Sequence, residues 1–226
     1  GQTMPKPKME EVEARFGCPL IELWGMTELG GLGTTFASNG PVKHGSIGVA
    51  LPYTQARITD AQDSNKTLPA GEVGELMIRG GIVMQGYYGN EKATRETIEP
   101  DGWLHTGDLA SMDGDGCVFI VDRKKDMILT AGYNVYPAEI ERVVAGHQDV
   151  ALVAVGSIPD AEKGELAKAY IVPKVGVTPS AQAIVDYCRE HLAAYKVPRA
   201  VQFVDDLPKT STGKVMRREL RTLDEH

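Results

Sequence analysis

The patterning of the chain changes once, across Asp122-Arg123-Lys124-Lys125-Asp126, and that change limits the fold more than any other feature. Before it, from Gly45 onward, short apolar runs alternate with turns at residues 54–59, 73–79, 109–112 and 117–121. The turn Asp113-Gly114-Asp115-Gly116 joins the last two as a hairpin. Such runs predict an all-β region, a small distorted barrel. After the charged run the spacing becomes helical. Residues 137–145 put Ile140, Val143 and Val144 on one side with Pro137 in the first turn, and residues 181–192 carry a stripe of Ile184, Val185, Cys188 and Leu192. Strands are expected at 150–155, 167–172 and 200–204. A compact α+β domain of about a hundred residues therefore follows a boundary near Lys125. Ahead of the β region, 5–16 reads as a helix stopped by Gly17, 19–24 as a buried strand, and 25–33 as a glycine-rich loop.

Bulk properties exclude several function classes. A net charge of -7 argues against a general nucleic-acid partner, because such binding rests on neutralising phosphates. The average hides a basic tail, in which Lys209, Lys214, Arg217, Arg218 and Arg221 face only Glu219; the arginines alone could equally be a solvated helix end. Cys18, Cys117 and Cys188 are odd in number and lack metal spacing, which points to a reducing compartment such as the cytoplasm. No apolar run approaches the roughly 20 residues of a membrane helix. The Asp113/Asp115 turn is no calcium loop, since Cys117 stands where an oxygen ligand is needed.

Four stretches carry more chemistry than a fold requires. In Trp24-Gly25-Met26-Thr27-Glu28 an indole can stack on a base, a hydroxyl can bond a phosphate, and a carboxylate can hold Mg²⁺. Taken alone, Trp24 fits a core position as well. In Gly102-Trp103-Leu104-His105-Thr106-Gly107-Asp108, Asp108 can accept ribose hydroxyls, or can simply satisfy turn amides. Arg123, in the charged run, offers a second ribose contact or belongs to a solvated linker. The fourth stretch is Pro208-Lys209-Thr210-Ser211-Thr212-Gly213-Lys214. It is not a phosphate loop: Pro208 occupies the place of the first glycine, and Val215 that of the Ser or Thr after the lysine.

In this order, WGMTE, GWLHTGD, VDRKKDMI with GYNVYPAEIE, and PKTSTGK resemble the successive motifs of the adenylate-forming superfamily, which includes acyl-CoA synthetases, carrier-loading adenylation domains and firefly luciferase. The resemblance runs from Gly1 to Leu220. PAEIE and Tyr195-Lys196-Val197-Pro198-Arg199 point to the acyl-CoA synthetase branch, that of fatty-acid and aryl-acid ligases. It implies the end of a large α/β lobe (1–122), a hinge (123–126) centred on Lys125, and a mobile α+β C-terminal domain (127–226). It implies ATP, Mg²⁺ and coenzyme A as reactants with a carboxylic acid, most simply a fatty acid. Trp24, Gly25, Met26 and Ile120 would surround the adenine, Thr27 touch phosphate, Glu28 hold Mg²⁺, and Asp108 and Arg123 bind the ribose. Lys214 would be the adenylation cation, Gly132 and Tyr133 would meet the pantetheine arm, and Gly30 and Gly31 would border the acyl pocket. Leu129 stands where luciferase-like relatives carry lysine. The phosphate loop of such enzymes does not occur, so the chain is expected to be the C-terminal portion of a longer ligase that needs the rest of its lobe for activity. The alternatives are a carrier-loading domain and a truncated nucleotide-binding module; association into a homodimer is a further expectation.

Overall fold

The computed structural model describes residues 4, 6–38, 40–211 and 213–225, with residues 6 and 225 described by backbone alone. Pro5 and Thr212, expected in the first helix and in the lysine segment, lie outside the described residues. The chain divides into two compact units, Gly1–Lys124 and Lys125–His226.

In the first unit, helix α1 (Lys6–Phe16) ends at Gly17, whose φ of 66° only glycine adopts without strain. A three-stranded antiparallel sheet follows, ordered β1 (Leu23–Trp24), β2 (Thr34–Thr35), β3 (Val49–Ala50). The strand expected over 19–24 shrinks to two residues, and Leu23 is 66% exposed rather than buried. The larger sheet is antiparallel and ordered β4 (Thr54–Thr59), β5 (Gly74–Gly80), β6 (Leu104–Met112), β7 (Val118–Arg123).

This sheet corrects the expected barrel. Its edge strands β4 and β7 do not pair with each other, and four strands are too few to close around a core. Curvature comes instead from register breaks between Glu75 and Met77 and between Leu109 and Ala110. The sheet covers Ile58, Leu76, Ile78, Leu104 and Val118. Helix α2 (Glu91–Thr97), capped by Asn90 Oδ1 on the Ala93 amide at 3.0 Å, buries no residue.

The second unit opens with a two-residue hairpin, β8 (Ile128–Thr130) and β9 (Tyr133–Val135), followed by α3 (Pro137–Ala145). The long antiparallel strands β10 (Val150–Asp160) and β11 (Gly164–Pro173) come next, then α4 (Ala181–His191) and β12 (Ala200–Phe203). β12 lies parallel to β11, a geometry that requires a crossover, which α4 supplies. Strand alternation builds two cores from one sheet. Val155 and Ile171 face Ile140, Val144 and Ile184 of the helices, while Ala154 and Tyr170 face Leu207 and Leu220. Each fully buried aliphatic side chain here contributes about 1.5–3 kcal/mol. The tail, a 3₁₀ helix over Arg217–Glu225, is held by Leu220 and by Arg217, which pairs with Glu141, while Arg218 and Arg221 are exposed as on a solvated helix end. Among the described residues no helix is long and apolar enough to cross a membrane.

Candidate functional site

The loop after Trp24 is folded back by its own glycines. Gly33 N–H donates to Trp24 O at 2.8 Å, Gly31 N–H to Met26 O at 3.1 Å, and Gly30 N–H to Thr27 O at 3.0 Å. A Cβ on Gly25 would stand 1.9 Å from Gly31 O, and one on Gly33 would stand 2.6 Å from the Trp24 ring, so glycine is required at both. The result is a short 3₁₀ turn, Thr27–Leu29, that fixes Glu28 and exposes Thr27. Gly30 and Gly31, at φ of 68° and 111°, face open space where their side chains would be.

Trp24, Asp108 and Arg123 meet across three strands. The Trp24 indole N–H donates to Asp108 Oδ2 at 2.8 Å, and Arg123 Nε lies 2.6 Å from Asp108 Oδ1. Asp108 is 5% exposed and sits directly opposite Arg123 in the register. A bulge in β6 puts it there: Thr106 Oγ1 donates to Leu76 O at 2.7 Å and accepts from Asp108 N–H at 3.1 Å. The carboxylate is thereby held as an oriented acceptor between an indole and a guanidinium. Trp24, Met26 and Ile120 line the rim of the same core, an apolar surface next to that carboxylate.

Glu28 Oε1 accepts from the Tyr87 hydroxyl at 2.8 Å, and the carboxylate pushes that phenol above its ordinary pKa, which keeps it a donor. No group of three metal-ligating side chains occurs among the described residues. Glu28 would offer Mg²⁺ a single hard carboxylate oxygen, so the protein side chains here could hold such an ion only together with other ligands.

In the second unit, Lys214 is exposed on a tight turn in which Thr210 N–H donates to Lys214 O at 2.8 Å and Lys214 N–H to Thr210 Oγ1 at 3.1 Å. Gly213 supplies the φ of 83° that the turn needs. Ala131 and Gly132 form the β8–β9 turn with φ of 49° and 83°, the two positive values of a twist-matched hairpin. Tyr133 follows, half-exposed and stacked on Tyr195 with centroids 4.7 Å apart. Lys125, the first residue of this unit, is exposed.

The first 88 residues match the model of the AMP-binding enzyme family, and 139–214 match that of the AMP-binding enzyme C-terminal domain. The chain belongs to the AMP-binding enzyme family. Among the relatives of this chain is the long-chain-fatty-acid–CoA ligase of Salmonella typhimurium, 47% identical over 89% of the chain and 35% of the relative. The feruloyl-CoA synthase of an Amycolatopsis species is 41% identical over 91% of the chain and 41% of the relative. The solved structure of o-succinylbenzoate CoA synthetase from Bacillus subtilis, in complex with its acyl-adenylate, superposes with a TM-score of 0.84 at 34% identity, over 98% of this chain and 44% of that one. ATP-bound MatB from Rhodopseudomonas palustris gives 0.88 at 35% identity, over 96% and 43%. The chain therefore spans well under half the length of the proteins it matches.

Two residues escaped sequence reasoning. Tyr87 carries no local motif that ties it to Glu28, 59 positions away. Glu75, 2% exposed, sits near the start of β5, just before the apolar run Leu76-Met77-Ile78; a lone carboxylate next to such a run was the available signal.

Proposed function

We propose that this chain forms the C-terminal part of an AMP-forming acyl-CoA synthetase whose acid is a fatty acid, in a reducing, cytoplasmic setting. In the first step a substrate carboxylate oxygen bonds to the α-phosphorus of ATP and the bond to pyrophosphate breaks. In the second, the sulfur of coenzyme A bonds to the acyl carbon and AMP departs.

The observation that carries the proposal is Asp108, buried between the Trp24 indole and the Arg123 guanidinium at the rim of an apolar surface. A base can lie on that rim while its ribose meets the carboxylate. Mg²⁺ neutralises phosphate charge when bound, and Glu28, steadied by Tyr87, would hold it. Thr27, exposed on the same turn, would meet a phosphate. Lys214, on a rigid turn and exposed, would stabilise charge as the carboxylate approaches the phosphate chain. Gly132 would let the pantetheine arm pass close to backbone, with Tyr133 beside it. Gly30 and Gly31 leave room at the acyl pocket. The fatty-acid assignment is supported by the names of the ligases at 44–47% identity; the feruloyl-CoA synthase at 41% favours an aryl acid as the second choice. Cys18, Cys117 and Cys188 are unpaired, as a reducing compartment would leave them.

The test is acid-dependent ATP–pyrophosphate exchange by the enzyme that carries this chain, run with long-chain and hydroxycinnamic acids and then with free coenzyme A. Exchange with a fatty acid and transfer to free CoA are expected. Transfer only to a carrier protein, or nucleotide binding with no exchange for any acid, would overturn the proposal.

A further inference from the structure

Strand β6 bulges away from β5 just before Asp108. Glu75 faces Leu109 and Met77 faces His105, so Thr106, Gly107 and Asp108 together oppose Leu76 alone. A bulge of this kind takes backbone amides out of the ladder, and each must find another acceptor. The Asp108 amide donates to Thr106 Oγ1 at 3.1 Å. The Gly107 amide, on a residue with φ of 69°, donates to Glu75 Oε1 at 3.3 Å. Glu75 therefore holds the loop that presents Asp108 to Trp24 and Arg123.

The same carboxylate, 3% exposed at its side chain, has Lys124 Nζ 2.7 Å and His105 Nδ1 3.1 Å from its Oε2. Burial alone would raise its pKa, but His105 and Lys124 outweigh burial and hold it below the usual carboxylate range. A buried charge is costly unless paired, and removing one partner strands the others. Lys124 directly follows Arg123, the last residue of β7. One side chain thus fixes both halves of the Asp108–Arg123 pair, the bulge through Gly107 and the end of β7 through Lys124. Around His105 stand Glu75 from β5, Lys124 after β7, and Glu99 from the turn between α2 and β6, whose Oε1 lies 3.2 Å from His105 Nε2. Behind it, Arg57 of β4 pairs with Glu99 at 3.2 Å. With both ring nitrogens facing carboxylates, only the doubly protonated imidazole donates to both.

We propose that Glu75 is a positioning residue for the nucleotide, holding the β6 bulge and the end of β7 so that Asp108 and Arg123 meet a ribose in one fixed geometry. This deepens the function proposed above and rests on its reading of Asp108. Without the Glu75 charge, the Gly107 amide keeps only a weaker neutral acceptor, Lys124 and His105 lose their partner, and Asp108 loses its fixed direction.

In the proton–nitrogen spectrum of the 226-residue chain, the Trp24 indole signal is the one that Trp24→Phe removes. Asp108→Ala takes away its acceptor and moves it. Glu75→Gln is expected to move it in the same direction, with circular dichroism unchanged. In the enzyme that carries this chain, Glu75→Gln should raise the KM for ATP about tenfold and leave the KM for the acid. A merely structural role would lower the amount of active enzyme and neither KM. An unmoved Trp24 signal in Glu75→Gln would overturn the proposal, as would an unchanged KM for ATP beside a raised one in Asp108→Ala. An unchanged KM for ATP in both variants would refute Asp108 as the nucleotide contact, and the proposal with it. Should Glu75→Gln misfold, the wild-type chain decides. Protonation of His105 steadies Glu75, so the Trp24 signal should titrate with a midpoint above 6.5 that His105→Gln abolishes; a flat signal would overturn the proposal.

Discussion

At the scale of single residues, the chemistry divides between one lysine on a tight turn and one carboxylate in a protein interior. Lys214→Ala removes a preorganised cation while leaving the Thr210 turn, which is built from backbone and a hydroxyl. In the enzyme carrying this chain, the adenylation rate should fall by about 10²–10³, or about 3–4 kcal/mol, with little change in melting temperature. A comparable drop in melting temperature would assign Lys214 to the fold instead. Glu75 makes the opposite prediction, of stability. Its hydrogen bond raises the His105 pKa above 6.5 against an opposing effect of burial, with Glu99 adding to the rise and Lys124 opposing it. A raised histidine pKa stabilises the fold fully below the unfolded value and ceases to do so as pH climbs through the folded value. The melting-temperature gap between the wild-type chain and His105→Gln should therefore be widest between about pH 4.5, where Glu75 is ionised, and 6.5, and narrow above that. A gap that grows with pH would contradict the pairing.

At the scale of elements, the β8–β9 hairpin holds Gly132 where both turn residues have positive φ. Gly132→Leu would strain that turn and fill the open space beside it. The expected outcome is loss of thioester formation with pyrophosphate exchange retained; equal loss of both would refute the separation of roles. This hairpin was not legible in the sequence, because three-residue strands leave no periodicity to detect, and neither was α2, which buries nothing and so has no apolar stripe. By contrast α3 was legible to the residue, since Pro137 marks its start and Ile140 and Val144 its buried face. Strands β10 and β11 ran longer than expected because Gly156, Ser157 and Pro159 break the apolar run without breaking the antiparallel pairing. In the candidate site, the paired motifs around Trp24 and Asp108 could be seen; their 2.8 Å bond, spanning 84 positions, could not.

At the scale of the whole molecule, a boundary between Lys124 and Lys125 separates two units with their own cores. If thioester formation requires the second unit to turn while adenylation does not, Lys125→Pro should slow only CoA-dependent release of AMP, since proline fixes φ at the pivot. Measured half-reaction by half-reaction, an unaltered second step would count against a hinge at this position. The Asp126–Arg217 contact carries a mechanical corollary. Lys214 lies only three residues before Arg217, within about 10 Å of extended chain. The turn that carries the amine is therefore tied closely to Asp126, near the start of the second unit. Joint and tool are thus built as one piece, and cutting this contact would free the lysine turn from the residue near which its own unit begins.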